Sequence, residues 1–409
     1  MSPHPHPPVE TIEVHGCSIV LRRVAGPEAQ ELFFKCQPPA EVVDTDRQAE
    51  AVYSAILSLL EEEGGSFTSV VSETLFLRNL QANIDSVRAA RQRVLIAHEA
   101  TTFRPAITEI EQAPLNEQAC LEVLVQAVLP NELPLRSELI EAEPACSCAE
   151  CARSHGLRLH LSDETRFYAG GLYGSGEDAY EQTLAMFEAA ESLLQQAGME
   201  FSDVMRTWIY FPEMERDYAG FNRARREFFE SRKIDPIPAS TGIGAGLVPA
   251  EHALCLGVYA VQGATPPVRT VMTTPTLNEA PVYGADFSRG MRILETNKVT
   301  LHISGTASLD ESGRTVHLDD FESQADRMLV NVAGLLEGQG ASFADVVSAI
   351  TYLKNPEHAE RLRQKFHEAG YEGFPNVLVA APVCRPELLC ETEALAVLPG
   401  TAEPKSDAV

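Results

Sequence analysis

Apolar residues recur at spacings of three and four in three separated windows of this chain, each followed by a glycine and then a short apolar run. The windows align without a gap: QAEAVYSAILSLLEEEGGSFTSVVSETLFLRN from Gln48, QTLAMFEAAESLLQQAGMEFSDVMRTWIYFPE from Gln182 and QADRMLVNVAGLLEGQGASFADVVSAITYLKN from Gln324. In each, the leading glutamine stands 16 residues before a glycine (Gly64, Gly198, Gly340), and a phenylalanine follows three residues later (Phe67, Phe201, Phe343). Leucine pairs precede the glycines at one offset: Leu59 and Leu60, Leu193 and Leu194, Leu335 and Leu336. The spacing predicts a helix with one buried face, the glycine a left-handed C-cap, and Phe with Val the anchor of a following strand. Such self-similarity marks tandem copies of one folded unit.

Each copy continues into a second, Arg- and Glu-rich helical stretch (NIDSVRAARQRVLIAHE, YAGFNRARREFFESR, EHAERLRQKFHEAG) and closes in apolar runs such as LCLGVYAVQG or LLCETEALAVLP. Ahead of each first helix lies another apolar strand, LFFKCQPP, RFYAGGLYG or VTLHISGTA. The unit is α+β, of ordinary domain size. The boundaries expected are a first repeat over 10–130, a linker or insertion over 131–160, a second repeat over 161–263, a Pro/Thr-rich linker over 264–280, a third repeat over 281–399 and a disordered tail over 400–409.

The 409 residues exceed the roughly 250–300 at which single cores stop growing, in keeping with several domains. Acidic residues outnumber basic ones 59 to 32, and the resulting charge of -27 repels a phosphate backbone, which argues against nucleic acid as a partner. No apolar window is long enough to span a membrane and MSPHPHPPVE lacks a signal-peptide core, so a cytoplasmic chain is expected, with no membrane partner. Most cysteines are scattered singly, which is not a disulfide framework. Cys146, Cys148 and Cys151 sit together in EPACSCAECARSH with His155 following; such soft ligands suit zinc, but the paired CxxC pattern is missing and a reduced, unliganded loop is the default. Neither metal nor cofactor is therefore expected.

The third copy resembles the RidA/YjgF/YER057c superfamily. APVYGADFSRG is similar to that family's opening APxxxGPYSQA, with Phe287 for Tyr; VTLHISGTASLD is similar to its strand carrying Ser-Gly, and ETEALAV to its closing EIEAIAV. The resemblance implies three sheets around a central β-barrel, helices outside, and ligand clefts between neighbouring units. Three fused RidA-like (chorismate mutase-like) domains then imply a single-chain pseudo-trimer, for which a monomer suffices.

The family's deaminases hold a substrate carboxylate with Arg in an FPARS-like segment and handle a water with Glu near the closing strand. Here FPNVLV puts Val377 at the Arg position and IPASTG puts Ser240 there; only TTFRPAIT offers an arginine, Arg104. The Glu position holds Glu122 in CLEVLVQA, no carboxylate in LCLGVYA, and Glu391 with Glu393 in CETEA, which makes the second repeat look blank. Arg104 and Glu122 then serve one cleft and Glu391 another, or Arg104 combines with Glu391 between the first and third repeats. A second resemblance joins APVCRPELLCETEA to the chorismatase segment ADICRAELNVEIEA, with Cys384, Arg385, Glu387, Leu388, Glu391 and Glu393 at matching offsets. It implies that Glu391 protonates an enol-ether methylene, that Cys384 joins it as a catalytic candidate lining the pocket, and that Arg385 helps to bind carboxylate. YGADFSRG is similar to the same enzymes' YGPRSPSFARA, which adds Arg289 as a carboxylate ligand with Phe287 beside it, while their FCxGR-type segment is replaced by FNRARREFF.

The reading is a hydrolase or lyase acting on a small carboxylate-bearing enamine, imine or enol ether, with a noncatalytic ligand-binding or scaffold protein as the alternative. Blander roles stand beside it. Glu391 and Glu393, two apart on a strand, share one face and suit a solvated edge; Cys384 suits a small buried hydrophobe; Arg104 suits a surface ion pair; His302 suits packing.

Overall fold

The computed structural model describes residues 6, 8–100, 104–141, 153–263, 268–295, 297–371 and 373–400. The first copy runs β1 (Val9–Val14), β2 (Cys17–Ala25), β3 (Ala29–Gln37), α1 (Thr45–Glu62), β4 (Val70–Leu77), α2 (Leu80–Ala97), β5 (Ala106–Glu111), β6 (Ala113–Pro114) and β7 (Leu121–Pro130). The second runs β8 (Arg136–Glu141), β9 (His155–His160), β10 (Glu164–Leu172), α3 (Ala179–Gln196), β11 (Val204–Phe211), α4 (Met214–Arg232), β12 (Ala239–Gly244) and β13 (Cys255–Gly263). The third runs β14 (Val268–Val271), β15 (Gly290–Leu294), β16 (Lys298–Ala307), α5 (Phe321–Glu337), β17 (Val346–Leu353), α6 (Ala359–Glu368), β18 (Asn376–Ala380) and β19 (Cys390–Pro399).

Each copy makes one mixed sheet with the same internal order: β1-β2-β3-β7-β4-β5, β8-β9-β10-β13-β11-β12 and β14-β15-β16-β19-β17-β18. Among the described strands the parallel ladders are β4 with β5, β11 with β12 and β17 with β18, the pairs that cross over through α2, α4 and α6. First helices bury the predicted face, as with Ile56, Leu59 and Leu60 on α1. Gly64, Gly198 and Gly340 follow with φ of 82°, 75° and 75°, the left-handed conformation that glycine adopts without strain. The repeated glutamine has a job the spacing alone did not reveal. Oε1 of Gln48, Gln182 and Gln324 accepts from the backbone N–H of Cys120, Ala253 and Leu389 at 2.8, 2.8 and 2.9 Å, tying each first helix to the start of the closing strand.

Two expectations are corrected. The stretches 131–160 and 264–280 are not plain linkers, since β8, β9 and β14 lie within them and complete sheet edges. Their short alternation, as in HGLRLH, is masked by polar outward positions. Nor do the described strands join into one closed barrel. They form three open sheets whose backbone contacts across copies are short: β6 on β18, Glu111 with Gly246, and Ala239 with Ser288. Side chains fill the rest of the interface, with Val71, Tyr168 and Met291 from the three copies in one apolar cluster.

A buried ionic knot pins the copies together. Arg166 of the second repeat reaches Glu31 of the first at 2.9 Å and Glu295 of the third at 3.0 Å, while Lys298 pairs with both carboxylates. Burial pushes the Glu31 carboxyl up, but Arg166 and Lys298 outweigh it and hold it at about 2.

Cys146, Cys148 and Cys151, the terminal tail and most of the His/Pro start lie outside the described residues. His155 is buried, with its ring nitrogens against the carbonyls of Arg153 and Pro105 at 2.8 and 2.9 Å. Among the described residues no group of three or more His, Cys, Asp or Glu is placed to hold a metal, and no helix is long and apolar enough to cross a membrane.

Candidate active site

Strand register shows which positions of the three copies correspond. Glu122, Cys255 and Glu391 each sit opposite the penultimate residue of the neighbouring strand: Phe76, Tyr210 and Tyr352. Three seams thus carry Glu, Cys and Glu at one place, and their surroundings differ.

In the first seam Glu122 is buried and spoken for, paired with Lys35 at 3.1 Å and accepting from Gln37 at 3.0 Å. Strand β3 passes β7 there without a register shift. In the second, burial pushes the Cys255 thiol up to about 12, and it stays protonated. Arg104 lies at the surface in an ion pair with Glu141, so the structure joins it neither to Glu122 nor to Glu391.

The third seam is open. A bulge shifts the register of β16 against β19 between Ile303 and Thr306, and the freed Ser304-Gly305 step makes room beside Glu391. A Cβ on Gly305 would stand 2.0 Å from Glu391 Oε1, so only glycine fits beside the carboxyl as placed. Gly305→Ala is therefore expected to displace Glu391 and to weaken any chemistry that depends on this carboxyl at least tenfold (~1.4 kcal/mol) while leaving the far-ultraviolet dichroism unchanged.

Glu391 faces a cavity of about 220 Å³ between the second and third repeats. The third repeat supplies Phe287, Arg289, Cys384 and Arg385; the second supplies Tyr218 and Arg225 from α4 and Ser240 and Thr241 from β12. The second repeat is thus not blank, because it builds one wall. Glu391 is 4% exposed, and burial, aided by the negative charge of Glu393, pushes its carboxyl up to about 8 against the pull of Arg289, Arg206 and Arg385. At neutral pH it carries its proton.

Arg289 is 2% exposed, lies 5.3 Å from the Phe287 ring centre, and is lowered to about 10 by burial. Arg225, also buried and lowered by desolvation, donates from Nη2 to Asn222 at 2.8 Å and leaves Nε without a partner. Together they place two cations on the cavity wall. Arg385 lines the same cavity but spends Nη1 on the Gly313 carbonyl at 2.8 Å. Cys384 Sγ lies 4.0 Å from Glu391 Oε2, and burial raises its thiol to about 12, which makes it a protonated wall and not a nucleophile.

The solvated-edge reading of Glu391 and Glu393 fails, for both are buried. Glu393 accepts from Arg206 Nη2 at 2.9 Å and from Trp208 Nε1 at 2.7 Å. Val377, at the family's Arg position, is fully buried in the core. Sequence reading missed Arg225, although a signal exists: it falls on the apolar stripe of α4 between Phe221 and Phe228, where an arginine needs a reason.

The two copies that flank this cavity are the ones a known family describes. The Endoribonuclease L-PSP model matches residues 165–262 and 278–398, and the chain belongs to that family, within the RidA/YjgF group. It is 30% identical over 98 residues to a RutC family protein of Pyrococcus abyssi, covering 24% of this chain and 76% of that one. It is 29% identical over 109 residues to an uncharacterized protein of Streptomyces coelicolor, covering 27% and 78%. Among solved structures, a chorismatase superposes with a TM-score of 0.58 at 18% identity, over 80% of this chain and 93% of the chorismatase, a likeness of fold.

Proposed function

We propose that the chain is a hydrolase or lyase for a small carboxylate-bearing enamine, imine or enol ether, working at the seam of the second and third repeats with Glu391 as the proton donor. The observation that carries this reading is a carboxylic acid that stays protonated at neutral pH in a cavity whose fixed charges are arginines. Arg225 and Arg289 hold the substrate carboxylate. The Glu391 proton goes to the electron-rich carbon of an enamine or enol ether, or to the nitrogen of an imine, and the carbon next to the heteroatom becomes an oxocarbenium or iminium centre. Water adds there, and its proton returns to the Glu391 carboxylate. The adduct then collapses, releasing an alcohol or ammonia and leaving a carbonyl compound. Protonating carbon is the demanding step, and a desolvated carboxylic acid suits it.

This reading includes a single-chain pseudo-trimer in which one of three seams is live and no second copy is required. It also includes a cytoplasmic location. The family name notwithstanding, RNA is disfavoured as a substrate by the net charge of -27. The test is incubation of the purified chain with chorismate and, separately, with an enzymatic source of 2-aminoacrylate, reading pyruvate and aromatic products. Turnover of either, lost in Glu391→Gln, supports the reading. Turnover of neither, with ligand binding indifferent to Glu391→Gln, favours a noncatalytic binding protein. Arg225→Met is expected to raise KM about tenfold or more with a smaller change in kcat, since it removes a carboxylate contact made before chemistry begins.

A further inference from the structure

A second cavity, of about 120 Å³, lies where the three sheets face one another and is distinct from the cleft at Glu391. Its walls include Trp208 and Tyr259, and its polar groups include Arg206, His302 and Glu393. Two of those groups are incomplete. Arg206 is 2% exposed and uses Nη2 on Glu393 and Thr241, yet its Nη1 has no partner; His302 is 7% exposed and its Nε2 has none either. They converge on one place. Arg206 pairs across strands with Tyr259, whose ring centre is 5.1 Å from that of His302. Leaving two such atoms buried and unmatched is costly, and aromatic walls around a few fixed polar points are how small-molecule sites are built.

The charges around the cavity decide what fits. Arg206 already has Glu393, and Lys298 and Arg166 are already matched by Glu31, Glu295 and Glu164, so no buried cation is left over for an added anion. A cation would face the free N–H of Arg206. His302 is uncharged, because burial and the neighbouring cations Arg206 and Lys298 push its imidazole down to about 3. We infer that this central cavity is a second binding site, for a small uncharged molecule that presents a carbonyl oxygen to Arg206 Nη1 and a neighbouring N–H or O–H toward His302, in the class of primary amides and α-hydroxy carbonyls.

The chain contains a single tryptophan and it lines this cavity, so intrinsic fluorescence reads the site directly. Full-length protein is titrated with acetamide and, as a size-matched anion, with acetate. Acetamide is expected to shift Trp208 emission saturably and acetate is not. His302→Leu is expected to weaken the acetamide response at least about tenfold, the cost of a lost buried hydrogen bond. His302→Gln, which keeps a polar atom there, is expected to hold it within a few fold and carries the test if the leucine variant does not fold. Glu391→Gln leaves the response intact if the two cavities are separate, so this outcome and the failure of the proposed reaction are distinguishable. An emission that answers to acetamide only in proportion to concentration, with ordered water alone in the cavity, overturns the assignment, as does tighter binding of acetate.

Discussion

Glu391→Gln is expected to lower turnover by about 10²–10⁴-fold, the usual worth of a positioned general acid, and at the same time to stabilise the protein in alkaline solution. Both effects come from one displaced equilibrium. In the folded chain the Glu391 carboxyl ionises near 8, against an ordinary value of 4.5. Below pH 4.5 it is protonated whether the chain is folded or not, and it costs nothing. As pH rises from 4.5 to about 8 the unfolded chain gains by ionising while the folded one does not, so stability is lost across that window and levels off above it. The loss is on the order of a few kcal/mol, with about 5 as its ceiling. Glutamine does not titrate, so the variant's denaturant midpoint should match wild type near pH 5 and exceed it near pH 9. Activity of the wild type should fall on the same limb, as pH passes about 8, because the acid form does the work. Equal midpoints at both pH values would mean that the carboxyl is solvated and the site misassigned.

How far the chain could be read without coordinates depends on whether a feature is local. The repeated helix, its glycine cap and the strand after it were legible, because periodicity and Gly64, Gly198 and Gly340 express themselves within a short window. Strands β8, β9 and β14 were not, because β8 and β14 are edge strands and β9 lies next to one, and a polar, Pro-containing context disguises their mixed faces. Glu391, Arg289, Cys384, Arg385 and Phe287 were singled out on resemblance, and all five line one cavity. Arg104 and Glu122 also matched a pattern, but their partners are decided in three dimensions: Glu141 takes the first and Lys35 the second. Charge assignment between groups far apart in sequence is what a linear reading cannot supply. Arg225 shows the same limit from the other side, since it belongs to the second repeat and acts on the third repeat's ligand wall.

Arg166→Met is expected to be the most damaging single change for stability, by about 3–5 kcal/mol, because it strands buried carboxylates and does not merely remove a favourable pair. Arg166 bridges the first and third repeats through Glu31 and Glu295, both buried, and in its absence Lys298 alone faces the two charges. Glu164, 2.6 Å from Arg166 Nε, loses its cation as well. The loss should depend on acid with a definite sign. Glu31 is held at about 2, below its ordinary 4.5, so in wild type its contribution is full above pH 4.5 and fades as pH falls toward 2. The difference between variant and wild type is therefore largest at neutral pH and shrinks in acid. Adding Glu295→Gln to Arg166→Met removes one of the stranded carboxylates and leaves Lys298 to pair with Glu31, and the double variant should recover part of the loss despite carrying two substitutions. Denaturant midpoints of wild type, single and double variants at pH 7 and pH 4 measure this. A double variant weaker than the single one would show that Arg166 stabilises through packing and not through charge, and that the three copies are held together by their apolar seams.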